Sequence, residues 1–382
     1  MEDLVIIRYS EIAVKGPSTR TRMESLLASN IEDAIATNNL GGSVRILEGR
    51  IIIEDPKPDA QSVSKIASRV FGVKSASPAI KVSFSDLDDL SRKALEYFAD
   101  KVKGKIFRVR ARRAGKHSFT SKDVERVVGK LLLDSGARGV DLENPEYTAY
   151  IEVRGRHAYF YDVVIPGPGG LPLGSEDPVL VLYSGGFDST VTAWFVMRRG
   201  SPVHLIYYDL GHPGALEIAY EAARLLARLW SYGHNPRMII ADFTRIASLV
   251  RERVRPEYRT LVLRRLMAMH ATRVAESLGI NALATGENIG QVATQTIINM
   301  YLIWRDIPLP VLRPVSGMDK DEITALAREI GVYDIISKQI EVCGRDSAPT
   351  PRGDPGTFDE EFSKIANAAE KLDVDIHVRE LK

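Results

Sequence analysis

The sequence predicts an α/β protein: a doubly wound parallel sheet in the C-terminal half, preceded by two smaller α+β units. Three observations carry that expectation. Beyond Gly174, short continuous apolar strands alternate with helix-period segments, the pattern of a sheet buried on both faces. Before Pro166, helices are interleaved with strand pairs that look like hairpins. Between them, Pro166-Gly-Pro-Gly-Gly-Leu-Pro-Leu-Gly174 reads as a linker. A chain of 382 residues suits two or three domains.

Leu4–Tyr9 is a β-rich run, and residues 18–36 place Met23, Leu26, Leu27, Ile31 and Ile35 at helical spacing. Gly41-Gly42 ends that helix. Val44–Leu47 and Arg50–Glu54 form a hairpin around Glu48-Gly49, and Val63–Phe71 is a short helix. This β-α-β-β-α order is ferredoxin-like. A second unit follows: strand Ile80–Phe84, helix Leu87–Val102, strand Ile106–Arg112, helix Ser121–Asp134, and strands Tyr147–Val153 and His157–Ile165. In the last unit, strands are expected at Val179–Tyr183, Val203–Tyr208, Arg237–Ala241 and Ala282–Thr285. Helices are expected at Ser189–Arg199, Ala215–Tyr232 and Tyr258–Leu278, with a closing helix at Asp359–Leu372 after a Pro/Gly-rich stretch.

Composition excludes some classes. Hydrophobic residues are 45% and charged residues 26%, ordinary for a globular protein. No apolar run approaches the roughly 18 residues of a membrane span, and the start shows no secretory signal. The single cysteine, Cys343, rules out an intrachain disulfide or a Cys₃ or Cys₄ metal site. A cytoplasmic location and no membrane partner are expected.

The strongest chemical signal is Val179-Leu-Val-Leu-Tyr-Ser-Gly-Gly-Phe-Asp-Ser-Thr190. A buried strand enters Ser184-Gly185-Gly186, and a helix starts near Asp188-Ser189. Glycines allow a sharp turn and close approach to a ligand. The loop and helix N-terminus then offer N–H groups and a dipole to a phosphate. Asp188 and Ser189 suit a helix cap, and Asp188 equally suits Mg²⁺ beside phosphates. No Lys follows the glycines, so this is not a GxxxxGK[ST] loop.

SGGFDS resembles the loop of the N-type ATP pyrophosphatases, which cleave ATP to AMP and pyrophosphate and adenylate an oxygen. Three further stretches narrow that resemblance: Arg8-Tyr-Ser-Glu-Ile-Ala-Val-Lys-Gly16, Thr285-Gly-Glu-Asn-Ile-Gly-Gln-Val-Ala-Thr-Gln-Thr296 and Leu309-Pro-Val-Leu-Arg-Pro-Val-Ser-Gly-Met-Asp-Lys-Asp-Glu-Ile323. Their order and spacing are similar to the tRNA 4-thiouridine synthetase (tRNA sulfurtransferase) family, linked in part to thiamine biosynthesis. The resemblance implies a ferredoxin-like domain at 1–75, a THUMP RNA-binding domain at 76–166 and the pyrophosphatase domain at 175–382. It implies ATP contacts at Leu182, Tyr183, Ser184, Gly185, Gly186, Ser189, Tyr207, Tyr208, Arg264, Gly286 and Gln295, with Asp188 catalytic. By residue type alone, Arg264 equally suits a surface helix charge and Gln295 an ordinary polar position.

Net charge is +1, but its distribution is uneven. From Lys101 to Lys122 there are nine Lys/Arg and no Asp or Glu, a block that attracts polyanions. Strand alternation places Arg108, Arg110 and Arg112 on one face. With Arg113, Lys116 and Lys122 they form the candidate RNA interface, His117 and Phe119 suit base stacking although Phe119 by itself reads as core, and Lys15 supplies a second patch.

Thiolation replaces the C4 oxygen of a uridine. Adenylation makes that oxygen a leaving group, and a sulfur nucleophile then attacks. Cys343 is the one residue able to carry a persulfide, and its position matches the family's catalytic cysteine. Several family members resolve the persulfide with a second cysteine in a rhodanese domain, which this sequence does not contain. The sulfur donor is therefore expected to be a separate carrier protein or sulfide. The resemblance further implies uridine 8 of tRNA as target, with the base turned out of the stack, and a homodimer. Competing readings are an amidating ATP pyrophosphatase and a tRNA-binding module with a vestigial nucleotide site.

Overall fold

A computed structural model describes residues 2–47, 49–338 and 352–382. The chain divides into two compact units, Met1–Gly170 and Leu171–Lys382.

In the first unit one nine-stranded sheet runs through both N-terminal segments. Its order is Gly41–Leu47, Arg50–Lys57, Glu2–Arg8, Ser75–Ser83, His157–Tyr161, Tyr147–Arg154, Ile106–Ala114 and Gly139–Val140, with Ile165–Pro166 added beside Ser75–Ser83. The strand expected at Ile80–Phe84 begins earlier, at Ser75. That extension lets it pair with Glu2–Arg8 from Ser75 to Lys81 and with His157–Tyr161 from Ile80 to Ser83. Helix Pro17–Thr37 buries Met23, Leu27, Ile31 and Ile35. Helices Leu87–Val102 and Ser121–Asp134 start and stop where their periodicity predicts. Asp86 caps the first, its carboxylate accepting the Asp89 N–H at 2.8 Å. A Thr120/Asp123 capping box opens the second, one residue before the expected Ser121. Their apolar stripes pack on Phe107, Val109, Ala149, Ile151, Val153 and Phe160.

The sheet's other face carries charge. Glu152 is 2% exposed, yet its carboxylate meets Arg50 at 2.9 Å, Arg154 at 2.8 Å and Arg8 at 3.7 Å. Arg50 and Glu152 lie on strands four steps apart in the order, about 19 Å in a flat sheet. Direct contact therefore requires the sheet to coil strongly, making this face concave. Tyr150 and Tyr161 stack there at 5.0 Å, and the Arg8 guanidinium lies 4.5 Å over the Tyr161 ring.

The second unit holds a six-stranded sheet ordered Val311–Leu312, Leu283–Thr285, Val179–Leu182, Val203–Asp209, Arg237–Asp242, Ile376–Glu380. The first five strands are parallel; four of them were expected, and the two-residue Val311–Leu312 is an addition. The last is antiparallel to Arg237–Asp242 and is a correction to the all-parallel expectation. Ile376–Glu380 is short, polar and exposed along the edge, so it lacks the apolar run that marks buried strands. The closing helix also differs: Asp354 and Pro355 start it earlier, and it forms two pieces, Pro355–Ser363 and Ala366–Glu370. Helix Arg259–Ser277 packs Ala271, Val274 and Ala275 on Leu180, Ile206, Ile239 and Leu283, while Val181 and Leu205 alternate to the opposite face. No described helix is long and apolar enough to cross a membrane.

Candidate nucleotide site and basic strand

Chain order creates the crevice. From Val179–Leu182 the chain proceeds to Val203–Asp209 and Arg237–Asp242 on one side, then returns to place Leu283–Thr285 and Val311–Leu312 on the other. That reversal is a topological switch point, and ligands of open α/β sheets bind outside the strand ends there. The loop Tyr183–Gly186 and the turn after Thr285 flank it.

The loop is shaped by its own small residues. Gly185 holds φ at +79°, which a side chain resists. Gly186 is the N-cap of helix Phe187–Arg198 and has no side chain to close the first amides. The expected capping by Asp188 and Ser189 is thus corrected. The Ser189 hydroxyl folds back to accept the Ser184 N–H at 3.2 Å and shares a 3.1 Å hydrogen bond with the Ser184 hydroxyl. The Asp188 carboxylate accepts from Gln291 Nε2 at 3.2 Å. A Cβ on Gly286 would stand 2.7 Å from the Asp188 carbonyl carbon and 2.8 Å from the Ser189 nitrogen. Only glycine lets the second loop approach the first so closely.

Behind Gly286 stands Glu287, 1% exposed. It accepts from Trp304 Nε1 at 2.7 Å and Arg313 Nε at 3.0 Å, and its other oxygen lies 3.7 Å from Arg264. Arg264 also donates to the Thr294 hydroxyl at 3.2 Å. Gln295 is 7% exposed, and its amide oxygen has no hydrogen-bond partner, the kind of polar group a ligand completes. The tyrosines serve the interior. Tyr183 shares a hydrogen bond with Thr190 at 3.1 Å, and burial raises its phenol pKa. Tyr207 is buried, its phenol pushed up to about 12 by burial and by Asp209. Tyr208 donates to the Met267 carbonyl at 2.8 Å and packs edge-on against Phe243. Leu182 is half-buried beside the same core.

In the first unit, strand Ile106–Ala114 turns Phe107 and Val109 into the core and leaves Arg110 and Arg112 exposed. Arg110 lies directly across from Tyr150, and Arg112 from Glu152, so the arginines border the concave face. Arg108 is spent within the fold, donating to the Thr148 hydroxyl at 3.0 Å and the Leu142 carbonyl at 2.9 Å. Arg113 donates to the Gly115 carbonyl at 2.7 Å. His117 Nε2 donates to the Gly155 carbonyl at 2.7 Å, leaving Nδ1 to accept from Arg113 at 3.3 Å. Phe119 is 8% exposed in the helix-side core, as its residue type alone suggested, so it does not stack on a base. Lys15, Lys116 and Lys122 are exposed.

Comparison with known proteins settles the family. The chain matches the family described as Thiamine biosynthesis protein (ThiI) over residues 174–372, the ThiI ferredoxin-like domain over 4–77 and the THUMP domain over 84–163. A protein of Aeropyrum pernix named "Probable tRNA sulfurtransferase" is 56% identical over 364 residues, 95% of this chain and 92% of that one. A tRNA sulfurtransferase of Pyrobaculum aerophilum is 45% identical, covering 89% and 69%. The chain belongs to the tRNA sulfurtransferase (ThiI) family. Among solved structures, a 4-thiouridine synthetase–RNA complex with bound ATP superposes with a TM-score of 0.83 at 29% identity, covering 99% of this chain and all of that one. PH1313 from Pyrococcus horikoshii gives 0.67 at 26%, covering 86% and 99%.

For this sulfurtransferase-family chain, the structure brings Ser184–Ser189, Gly286 and Asp188 together at the switch point, with Arg264 joined to them through Glu287. It gives Arg108, Arg113 and His117 structural partners. Cys343 lies outside the described residues. Sequence reading missed Glu287, Arg313, Gln291 and Tyr150. The first three sit inside or next to the Thr285–Thr296 and Leu309–Ile323 segments, but only the folded chain shows that they converge.

Proposed function

We propose that this chain is an ATP-dependent tRNA sulfurtransferase that adenylates uridine 8 and exchanges its oxygen for sulfur, giving 4-thiouridine. The observation that carries the reading is the glycine-built loop at the switch point, with a glycine at the helix N-cap, in a chain of this family. Resemblance to a synthetase solved with RNA and ATP supports both substrates.

The chemistry divides between residues. Backbone amides at the turn into helix Phe187–Arg198 bind phosphate oxygens. Uridine O4 attacks the α-phosphorus, and pyrophosphate leaves with the electron pair of the broken anhydride bond. The sulfur nucleophile then adds at C4, and AMP leaves with the former uridine oxygen. A Mg²⁺ fits beside Asp188: that ion is commonly held by one or two carboxylates plus substrate phosphates, and the Asp188 carboxylate is at the loop, steadied by Gln291. Bound there, it neutralises charge on the phosphates. Cys343 is our candidate sulfur carrier. The support for this is the resemblance of its position to the family's catalytic cysteine, within the matched residues 174–372. The sulfur source is a persulfide-bearing carrier protein, which passes its outer sulfur to the Cys343 thiolate and departs as a thiolate; after that sulfur has bonded to C4 and AMP has left, an external thiol attacks the Cys343 sulfur, forming a disulfide and releasing the thiolated base. Sulfide, as the alternative source, attacks C4 directly without passing through Cys343. The working form is a homodimer.

RNA docks on the strand carrying Arg110 and Arg112, with Lys15, Lys116 and Lys122 adding charge. Tyr150, half-buried between the arginines and Tyr161, is a platform for an unpaired base. The deciding experiment is Asp188→Ala, tested by ATP–pyrophosphate exchange with and without tRNA and by nucleoside mass spectrometry of the product RNA. Loss of tRNA-dependent exchange and of 4-thiouridine is expected. Wild-type rates in the variant would sink the proposal.

A further inference from the structure

Glu287 and Arg313 belong to none of the groups assigned above, yet they pair next to Gly286, with Glu287 buried. A carboxylate 1% exposed needs a cation. One would balance it, but Glu287 has two, Arg313 at 3.0 Å and Arg264 at 3.7 Å. The cluster therefore keeps an excess positive charge one residue from Gly286, whose α-carbon lies against the Asp188–Ser189 backbone. Arg313 is fixed by three contacts: Nε on Glu287, the Trp304 ring at 5.3 Å and Nη1 toward the Val311 carbonyl at 3.4 Å. Both arginine side chains nonetheless remain 25% exposed, leaving donors of their forks open.

Strand order gives the cluster a direction. Leu283–Thr285 and Val311–Leu312 stand on the opposite side of Val179–Leu182 from Val203–Asp209, which carries Tyr207 and Tyr208. The two guanidiniums thus approach the loop from the far side of the crevice. Planar forks suit phosphate oxygens, and prepositioned cations matter most where charge develops as a bond breaks.

We propose that Arg313 and Arg264, held side by side by Glu287, clamp the pyrophosphate end of the bound nucleotide, with Glu287 as a positioning residue. This rests on the crevice being the ATP site. The test is equilibrium binding of ATP, AMP and inorganic pyrophosphate to the full chain without RNA, since AMP lacks the clamped groups. Arg313→Ala is expected to weaken ATP and pyrophosphate about tenfold or more and to leave AMP within about twofold. Arg313→Lys, which keeps the charge but not the fork, falls between. Glu287→Gln tests positioning by sign. Charge removal alone would tighten ATP, whereas loss of positioning weakens ATP and pyrophosphate while AMP holds. Equal loss for ATP and AMP, unchanged ATP in Arg313→Ala, or tighter ATP in Glu287→Gln overturns the clamp and spares the ATP reading. If Arg313→Ala does not fold, an unchanged ATP-to-AMP ratio in Arg313→Lys overturns it equally. A wild-type chain that binds none of the three overturns the nucleotide site and the clamp with it.

Discussion

The two sheets place their working groups in opposite ways. In the C-terminal unit the parallel strands are buried, so chemistry is left to their carboxyl ends, where the backbone makes the site. There the glycines at 185 and 286 matter because of what a side chain would strike or strain. In the N-terminal unit one face of a coiled sheet is lined by side chains: Tyr150, Tyr161, and Glu152 with its three arginines. Backbone-built sites fail abruptly when atoms collide. Side-chain surfaces lose strength in steps, except where a charge is buried.

That contrast can be broken, starting with the largest effect. Gly286→Ala pushes the Asp188–Ser189 backbone from its place, so ATP–pyrophosphate exchange should fall about 100-fold or more with little change in unfolding temperature. Near-normal exchange would show that the loop tolerates displacement.

Glu152→Gln leaves three arginines around a neutral group and should destabilise the first unit by about 3–5 kcal/mol in denaturant titrations. Its pH dependence sharpens the point. Burial alone would raise the Glu152 pKa, but Arg50, Arg154 and Arg8 outweigh it and hold the carboxyl below its ordinary range. A depressed folded-state pKa contributes stability that is complete above the unfolded value of about 4.3 and is lost as pH falls through the folded value. Wild-type stability should therefore decline below about pH 4, and the Gln variant should lose this share of the slope. Parallel declines in both would assign the effect elsewhere.

Graded loss is expected on the basic strand. Arg110→Ala and Arg112→Ala should each lower the log–log salt slope of tRNA binding by about 1. Arg108→Ala should leave the slope alone and cost about 1 kcal/mol of stability, since its donors already serve Thr148 and Leu142. Equal slopes for all three would erase the distinction between free and engaged arginines. The smallest effect belongs to Tyr208→Phe. Losing its hydrogen bond to Met267 should cost about 1 kcal/mol and leave nucleotide binding unchanged, if the ring rather than the hydroxyl is what the site needs.

Periodicity made the long elements legible. Helices Leu87–Val102 and Ser121–Asp134 match their expected ends because capping residues and apolar stripes agree. Four of the five parallel strands were equally plain as apolar runs, while Val311–Leu312, two residues long, is too short to show a pattern. The edge strand Ile376–Glu380 was not, because it pairs on one side only and carries exposed, mostly polar residues. Phe119 read as core by its residue type despite its basic neighbours, and it lies just before the helix whose core it shares.

Local residue order thus determined the fold class, the glycine loop and the basic strand, since turns, caps and apolar periods depend on neighbours a few positions apart. Tertiary structure alone decided which charges are available. Glu287 meets Arg264 and Arg313 across 23 and 26 residues, and Glu152 meets Arg8 and Arg50 across 144 and 102. Nothing local encodes such pairings. They arise when sheets coil and strand order reverses, and burial then makes each carboxylate choose its partners.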